Sequence, residues 1–235
     1  MSRRDDLAAG LAQTHERIAA ACGEARRDPA DVTLVVITKT YPASDVVHLA
    51  GLGVTDVGEN RHPEAGRKLD EVRAAGVQHP PRMHFVGGLQ TNKAAAVARY
   101  ADVVHSVDRD RLVEALSKGA VNAGRELGCL VQVDFDTTDP GRAGVPPAGV
   151  LDLASHVAGS DGLRLDGVMT VAPLGADPAG VFGELVEISH RLRTQHPAAA
   201  TISAGMSADL EAAVIAGATH VRVGRSILGE RAPAR

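Results

Sequence analysis

The run Thr33-Leu34-Val35-Val36-Ile37-Thr38-Lys39-Thr40-Tyr41-Pro42 decides the reading of this chain. Its first six residues are β-branched or aliphatic, as in a strand buried on both faces. Tyr41-Pro42 stops it, because proline brings no N–H to a ladder. Lys39 stands at the tip. A lysine at the end of a buried strand is partly desolvated, which lowers its pKa and frees the amine to attack a carbonyl. The plainer reading of the same residue is a lysine that snorkels from a strand end.

Working outward, short apolar runs alternate with longer helical patterns. The sequence predicts strands over 33–38, 54–58, 83–87, 102–106, 129–134, 165–170, 200–203 and 220–223. Amphipathic stretches lie between them at about 44–52, 62–75, 91–99, 108–127, 147–159, 178–195, 207–216 and 225–229. A further helix over about 4–27 precedes the first strand, with Leu7, Leu11, Ile18 and Cys22 on one face. Eight β-then-α units in this order predict an α/β fold, a single (β/α)8 TIM barrel over 1–235 with an extra N-terminal helix. A doubly wound open sheet uses the same local units and is the alternative. The strand count favours the barrel, as does a length of 235 residues, close to the norm of about 250. Asp136-Thr137-Thr138-Asp139-Pro140-Gly141 reads as a long βα loop.

The composition excludes several classes. Hydrophobic residues make up 44% of the chain, enough for a core, but aromatics only 2%, so aliphatic side chains must do the packing. A net charge of −4 and no basic run give no basis for nucleic-acid or anionic-membrane binding. Cys22 and Cys129 have neither CxxC nor metal-ligand spacing, which suits free buried thiols in a reducing compartment. No HExxH or Cys/His cluster predicts a metal. With no secretory start and no stretch of about 18 apolar residues, the expectation is a soluble, cytoplasmic protein.

In a barrel the C-terminal strand ends share one mouth. Here they carry Lys39, Glu59-Asn60, Gly87-Gly88, Ser106-Val107-Asp108, Asp134, Asp136, Thr170, Ser203 and Arg222-Gly224. The turns after strands seven and eight are the usual phosphate position in such barrels. Gly205 and Gly224 would let the backbone approach an anion, and Ser207 and Ser226 add hydroxyls near helix starts. Tight-turn glycine is the structural alternative for both. A Schiff-base lysine with a phosphate cradle suggests a phosphorylated aldehyde, pyridoxal 5′-phosphate (PLP) first. Arg222, in period two between His220 and Gly224, would be a buried cation that needs an acceptor, either a pyridine nitrogen or an acidic side chain. Asn60 could cap the following helix or reach a ring, Thr91 or Asn92 could cap the next, and His84 reads first as a satisfied core histidine.

Several segments together resemble the pyridoxal phosphate homeostasis family. They are Ile37-Thr38-Lys39-Thr40-Tyr41-Pro42, Gly58-Glu59-Asn60, and His84 through Lys93. His105-Ser106-Val107-Asp108-Arg109, Gly167-Val168-Met169-Thr170, Gly205-Met206-Ser207-Ala208-Asp209 and Val221 through Arg231 complete the set. The resemblance implies a barrel similar to the N-terminal domain of alanine racemase, with PLP held as a Schiff base on Lys39. By similarity, Ser207 and the backbone at Gly224, beside Gly205, grip the phosphate. Arg222 faces the pyridine nitrogen, and Asn60, His84 and Ser203 line the pocket. It implies a protein that buffers and delivers PLP, with PLP-dependent apo-enzymes as partners, and no robust catalysis. Because such a pocket needs no second subunit, a monomer is the expectation. Departures from the family pattern include Met83, Arg61, Ile202-Ser203-Ala204-Gly205 and Arg142, the last near a usual lysine.

The competing reading is a racemase-like PLP enzyme of low activity. It needs a second base opposite Lys39. The chain ends at Arg235, soon after strand eight, which leaves no room for the second domain that supplies that base in racemases. Of the two tyrosines, Tyr100 reads as lying outside the barrel, and the direction of Tyr41 is open. A sugar-phosphate lyase or aldolase on Lys39 would use Glu59, Asp108 or Asp134 as its acid or base. A barrel with a phosphate site for some other ligand is the least specific reading.

Overall fold

The computed structural model describes residues 2–136, 138 and 141–229. Thr137, Asp139 and Pro140 of the expected loop lie outside the described residues, as do Glu230 and Arg231 of the last family segment. Eight parallel strands form a closed barrel in sequence order: β1 (Thr33–Ile37), β2 (Asp56–Glu59), β3 (Arg82–Phe85), β4 (Val103–Val107), β5 (Leu127–Gln132), β6 (Leu163–Met169), β7 (Thr201–Ser203) and β8 (His220–Val223). Closure rests on the pairing of β8 with β1, with Leu34 opposite Val221 and Val36 opposite Val223. This pairing excludes the open sheet.

Around the barrel run α1 (Arg3–Ala25), α2 (Ala43–Gly51), α3 (Glu64–Ala74), α4 (Thr91–Val97), α5 (Asp110–Asn122), α6 (Val150–Ala158), α7 (Pro178–Gln195), α8 (Leu210–Ala216) and α9 (Arg225–Leu228). Several helices are shorter than their apolar patterns suggest, α5 and α8 among them. The stretch 108–127 ends as helix at Asn122, and β5 already begins at Leu127. The stretch 207–216 becomes helical only at Leu210, so Ser207 lies in a turn.

Aliphatic side chains dominate the layer between barrel and helices, with Phe85 and Phe182 the largest wholly buried residues in it. Inside the barrel the apolar content is small: Val103, Leu130 and Met169 form a separate cluster. Polar residues, described below, fill much of the remaining interior.

The helix before the first strand docks through the predicted face. Leu7, Leu11, Ile18 and Cys22 are buried against α8, α9 and β8. Its start is fixed by a reciprocal capping box between Ser2 and Asp5. Gly10 allows the closest approach: a Cβ there would stand 2.7 Å from the Ile227 Cα. Gly23, in the same helix, has nothing within 4 Å of such a Cβ. Alanine exceeds glycine in helix propensity by about 1 kcal/mol, so propensity alone predicts the same gain at both sites. Packing reverses the sign at one of them. Gly23→Ala should stabilise the protein by ~0.5–1 kcal/mol, whereas Gly10→Ala should destabilise it by ~1–3 kcal/mol. Equilibrium urea unfolding measures both, and a gain at Gly10 would contradict the α1–α9 packing.

Candidate functional site

The C-terminal strand ends enclose a cavity of about 430 Å³, within the roughly 300–1,000 Å³ range of small-molecule sites. Lys39, Asn60, Ser207, Arg222 and Gly224 all line it, together with Tyr41, Gly87 and Arg225. Five of the eight expected site residues therefore meet in one place. Ser203 lies a layer deeper, where its hydroxyl accepts from Arg222 Nη1 at 2.6 Å. Gly205, at φ +88°, turns the chain between β7 and Ser207, and a Cβ on it would stand 2.6 Å from the Ala213 Cβ. His84 lies elsewhere. It points toward the opposite end of the barrel, where it lines a second cavity of about 310 Å³ with His105, His220, Arg82, Arg164 and Asp166. His84 is buried and bonded to His105 and Asp56, which matches the reading of a satisfied core histidine.

Two glycines shape the mouth. At Gly87 a Cβ would collide with the Asn60 carbonyl oxygen. At Gly224 it would press within 3.0 Å of the Ile37 carbonyl oxygen. Asn60 does not cap the next helix: α3 starts after Pro63 with no side-chain cap. Neither Thr91 nor Asn92 caps α4, which starts after Gln90.

Lys39 follows β1 in a turn whose next residue, Thr40, has φ +70°, an unusual conformation for a β-branched residue. The strand end before it is clamped by Glu59 together with Lys68, which no motif revealed. Lys68, on α3, donates to the Thr38 carbonyl at 2.8 Å and to Glu59 Oε1 at 2.5 Å. The Thr38 hydroxyl donates to the same carboxylate oxygen at 2.7 Å. Glu59 is fully buried and Lys68 nearly so. A lysine in an amphipathic helix reads as solvated, and only the tertiary fold brings it to Glu59.

Arg222 is buried, with 5% of its surface exposed. Burial draws its guanidinium down to about 10, with Asp209 pulling the other way, so it remains a cation at neutral pH. Its Nη1 and Nη2 donate to Ser203 and to the Thr170 carbonyl, the latter at 2.8 Å. An acidic partner within hydrogen-bond reach, the structural alternative in the sequence, is not what it finds. A guanidinium has five N–H donors, and this one also borders the mouth cavity.

The three carboxylates that could serve an aldolase are engaged otherwise. Glu59 pairs with Lys68, Asp108 with Arg109, and Asp134 with Arg142 at 2.9 Å. None of the three lines the mouth cavity. Arg142 also donates to the Val171 carbonyl and so ties down the loop after β5. The Tyr41 hydroxyl donates to the Gly229 carbonyl at 2.6 Å. Tyr100 sits outside the barrel but buried, stacked on His62, and burial raises its phenol well above the ordinary range. Among the described residues no group of three or more His, Cys, Asp or Glu side chains could hold a metal ion. No described helix is long and apolar enough to cross a membrane.

Comparison with known proteins agrees with this geometry. The family described as "Alanine racemase, N-terminal domain" matches residues 13–232. The pyridoxal phosphate homeostasis protein of Mycobacterium bovis is 41% identical, over 97% of this chain and 94% of its own length. Its Escherichia coli K12 counterpart is 33% identical, over 97% of both chains. The PipY protein of Synechococcus elongatus, in its PLP-bound structure, superimposes with a TM-score of 0.77 at 30% identity, over 90% of this chain and all of its own. The barrel and its mouth thus define a chain of the alanine racemase N-terminal domain class, and within that class it belongs to the pyridoxal phosphate homeostasis protein family.

The clamp beneath Lys39 makes a prediction. Removing one partner of a buried ion pair leaves an uncompensated charge and costs about 3–5 kcal/mol, whereas replacing both can be nearly neutral. Lys68→Met should therefore destabilise the fold by that amount in urea unfolding. Adding Glu59→Gln should recover most of the loss. Equal stability of Lys68→Met and the parent protein would remove the clamp.

Proposed function

We propose that residues 1–235 form one PLP-binding domain that buffers and delivers this cofactor and so supports intracellular PLP and amino-acid balance without robust catalysis. One observation carries the reading: among the described residues, the ionisable side chains lining the mouth cavity are Lys39, Tyr41, Arg222 and Arg225, with no carboxylate or imidazole among them. Such a lining binds an anionic aldehyde well and offers little for general acid–base work.

The residues present fit PLP. The buried Arg222 has more N–H donors than its two protein acceptors use, and a pyridine nitrogen is an acceptor of the right kind. The backbone at Gly224 approaches as no other residue could without moving Ile37. Ser207 and Gly224 would hold the phosphate, Asn60 would meet the ring, and Lys39 would meet the aldehyde. Ser203, Gly205 and His84 would act from behind the lining. When bound, PLP supplies an aldehyde that an amine can capture reversibly. The Arg222 guanidinium would face the ring nitrogen and would keep it unprotonated, which would make the ring a weaker electron sink. Tyr41 is the one tyrosine in the lining, and its hydroxyl is spent on Gly229, so it is poorly placed as the second base of a racemase.

One chain supplies the whole lining, which suits a monomer. A carrier of this kind works in the cytoplasm, where PLP-dependent apo-enzymes would be its recipients.

The purified protein should gain a visible absorbance band with PLP. Borohydride should fix the cofactor on the peptide containing Lys39. Lys39→Ala should lose the borohydride-stable label yet retain non-covalent PLP, since the phosphate grip remains. No band on PLP addition would overturn the reading, and labelling of another lysine would displace Lys39. Robust turnover in racemase or transaminase assays would replace the carrier with an enzyme.

Ser207→Ala should weaken PLP binding by ~1–2 kcal/mol, the scale of one charge-assisted hydrogen bond. Unchanged affinity in a PLP titration would remove Ser207 from the phosphate grip.

A further inference from the structure

A continuous line of hydrogen bonds crosses the barrel from mouth to floor. Arg222 Nη1 lies 2.6 Å from Ser203 Oγ, and Ser203 Oγ lies 3.0 Å from His105 Nδ1. His105 Nε2 lies 2.8 Å from His84 Nδ1, and His84 Nε2 lies 2.8 Å from Asp56 Oδ1. All five residues are buried. They come from β8, β7, β4, β3 and β2, with one inward side chain from each.

The ends of this line fix its direction. A guanidinium only donates, so Ser203 Oγ must accept from Arg222 and its own proton is free to go to His105 Nδ1. At the other end a carboxylate only accepts, so His84 Nε2 must carry a proton. Burial alone would raise the Asp56 carboxyl, but hydrogen bonds from His84 and Thr55 outweigh it and keep the group below its usual range, hence ionised. With one proton per ring, His84 Nδ1 accepts from His105 Nε2–H, and every donor along the line then meets an acceptor. A second proton on His84 would make it donate to His105 Nε2. That would turn His105 Nδ1–H onto Ser203 Oγ, which already receives from Arg222. Burial, with His84 and Arg222 nearby, holds the His105 imidazolium far below its ordinary range, which suits a neutral ring.

We propose that Asp56, His84, His105 and Ser203 are positioning residues for Arg222, a one-way hydrogen-bond chain by which a carboxylate at the barrel floor sets the orientation of the guanidinium at the mouth. Asp56 gives the chain its polarity, the two histidines pass it on in a single tautomer, and Ser203 presents a lone pair rather than a proton to Arg222. The Thr170 carbonyl holds the other terminal nitrogen, so the guanidinium plane is fixed by two acceptors. The effect on PLP rests on the function proposed above, whereas the chain itself does not.

The test begins with ligand-free protein. Nitrogen-15 NMR should find His84 and His105 both as neutral Nε2–H tautomers with unprotonated Nδ1. A proton on His105 Nδ1 would overturn the proposal outright, because the chain would then run the other way. In Asp56→Asn, whose amide can donate as well as accept, both tautomers should appear at His105, and the Arg222 side-chain nitrogen resonances should shift. PLP dissociation constants should rise about five- to tenfold, the scale of one hydrogen bond, in both Asp56→Asn and Ser203→Ala. If only Ser203→Ala has an effect, the support is local and the chain is refuted. If the protein binds no PLP, the proposed function fails, while the ligand-free tautomers and the Arg222 resonances still decide the chain.

Discussion

A nearly buried cation sits inside this barrel, and much of the interior is arranged around it. Arg222 could not be buried among aliphatic side chains without acceptors, because an unpaired charge in such a place costs far more than one hydrogen bond returns. The interior meets this demand with neutral acceptors rather than with a carboxylate in contact: the Ser203 hydroxyl and the Thr170 carbonyl. A direct ion pair would hold the guanidinium more tightly but would consume its donors and neutralise its charge. Two neutral acceptors leave it charged and with N–H groups to spare at the cavity. The acid that acts on it electrostatically is Asp209, with which it makes no hydrogen bond, and Asp56 ends the line four hydrogen bonds down the barrel.

The same logic divides the barrel into two ends with different chemistry. Among the described residues the mouth lining carries two arginines and a lysine, with no acidic side chain. The floor carries Asp56, Asp166 and three histidines, with Arg82 and Arg164 tied into ion pairs. Burial, with His84, Arg82 and Arg222 nearby and Asp56 opposing them, lowers the His220 pKa to about 4, so His220 adds no positive charge to the floor at neutral pH. An anion is therefore drawn to one end only. At that end, two acidic groups close to the site are sequestered in pairs, Glu59 with Lys68 and Asp134 with Arg142, while Asp209 accepts from the Met206 N–H. These pairs keep negative charge out of the lining and also fix the backbone on which Lys39 and the loop after β5 depend.

Much of the barrel could be read from the chain because it rests on local patterns. The run at 33–38 and the period-two placement of His220 and Arg222 specify strands whatever surrounds them. Eight repeats of that signal leave few topologies. The mouth residues were legible for the same reason, since strand ends converge in any barrel. Lys68 was not legible, because on an amphipathic helix nothing separates a lysine that turns inward from one that faces solvent. Asp56 and His105 were missed as partners because their importance lies in a contact between strands distant in sequence. His84 was read two ways, and a sequence shows whether a strand residue points inward but not how far along the barrel axis it reaches. The late start of α8 is a related case: Asp209 Oδ1 accepts from the Met206 N–H at 2.6 Å, and this local bond competes with helix formation through the turn that holds Ser207.

Whether such a barrel carries or transforms a ligand depends on what surrounds its lysine. Catalysis at a captured carbonyl compound needs groups that exchange protons with it, and these must be near neutrality in pKa and unengaged. The candidates are of the wrong kind or already occupied. Tyr41 reaches the lining but gives its proton to a carbonyl. Tyr100 is held outside the barrel with its phenol pushed up by burial. The carboxylates nearest in sequence are in ion pairs. Binding asks less: a fixed cation, a close backbone and a nucleophile on a rigid strand end. The structure provides all three with residues from one chain. The groups that the fold holds most firmly, Arg222 within its two acceptors and the strand end beneath Lys39, are those that orient a ligand rather than move its protons.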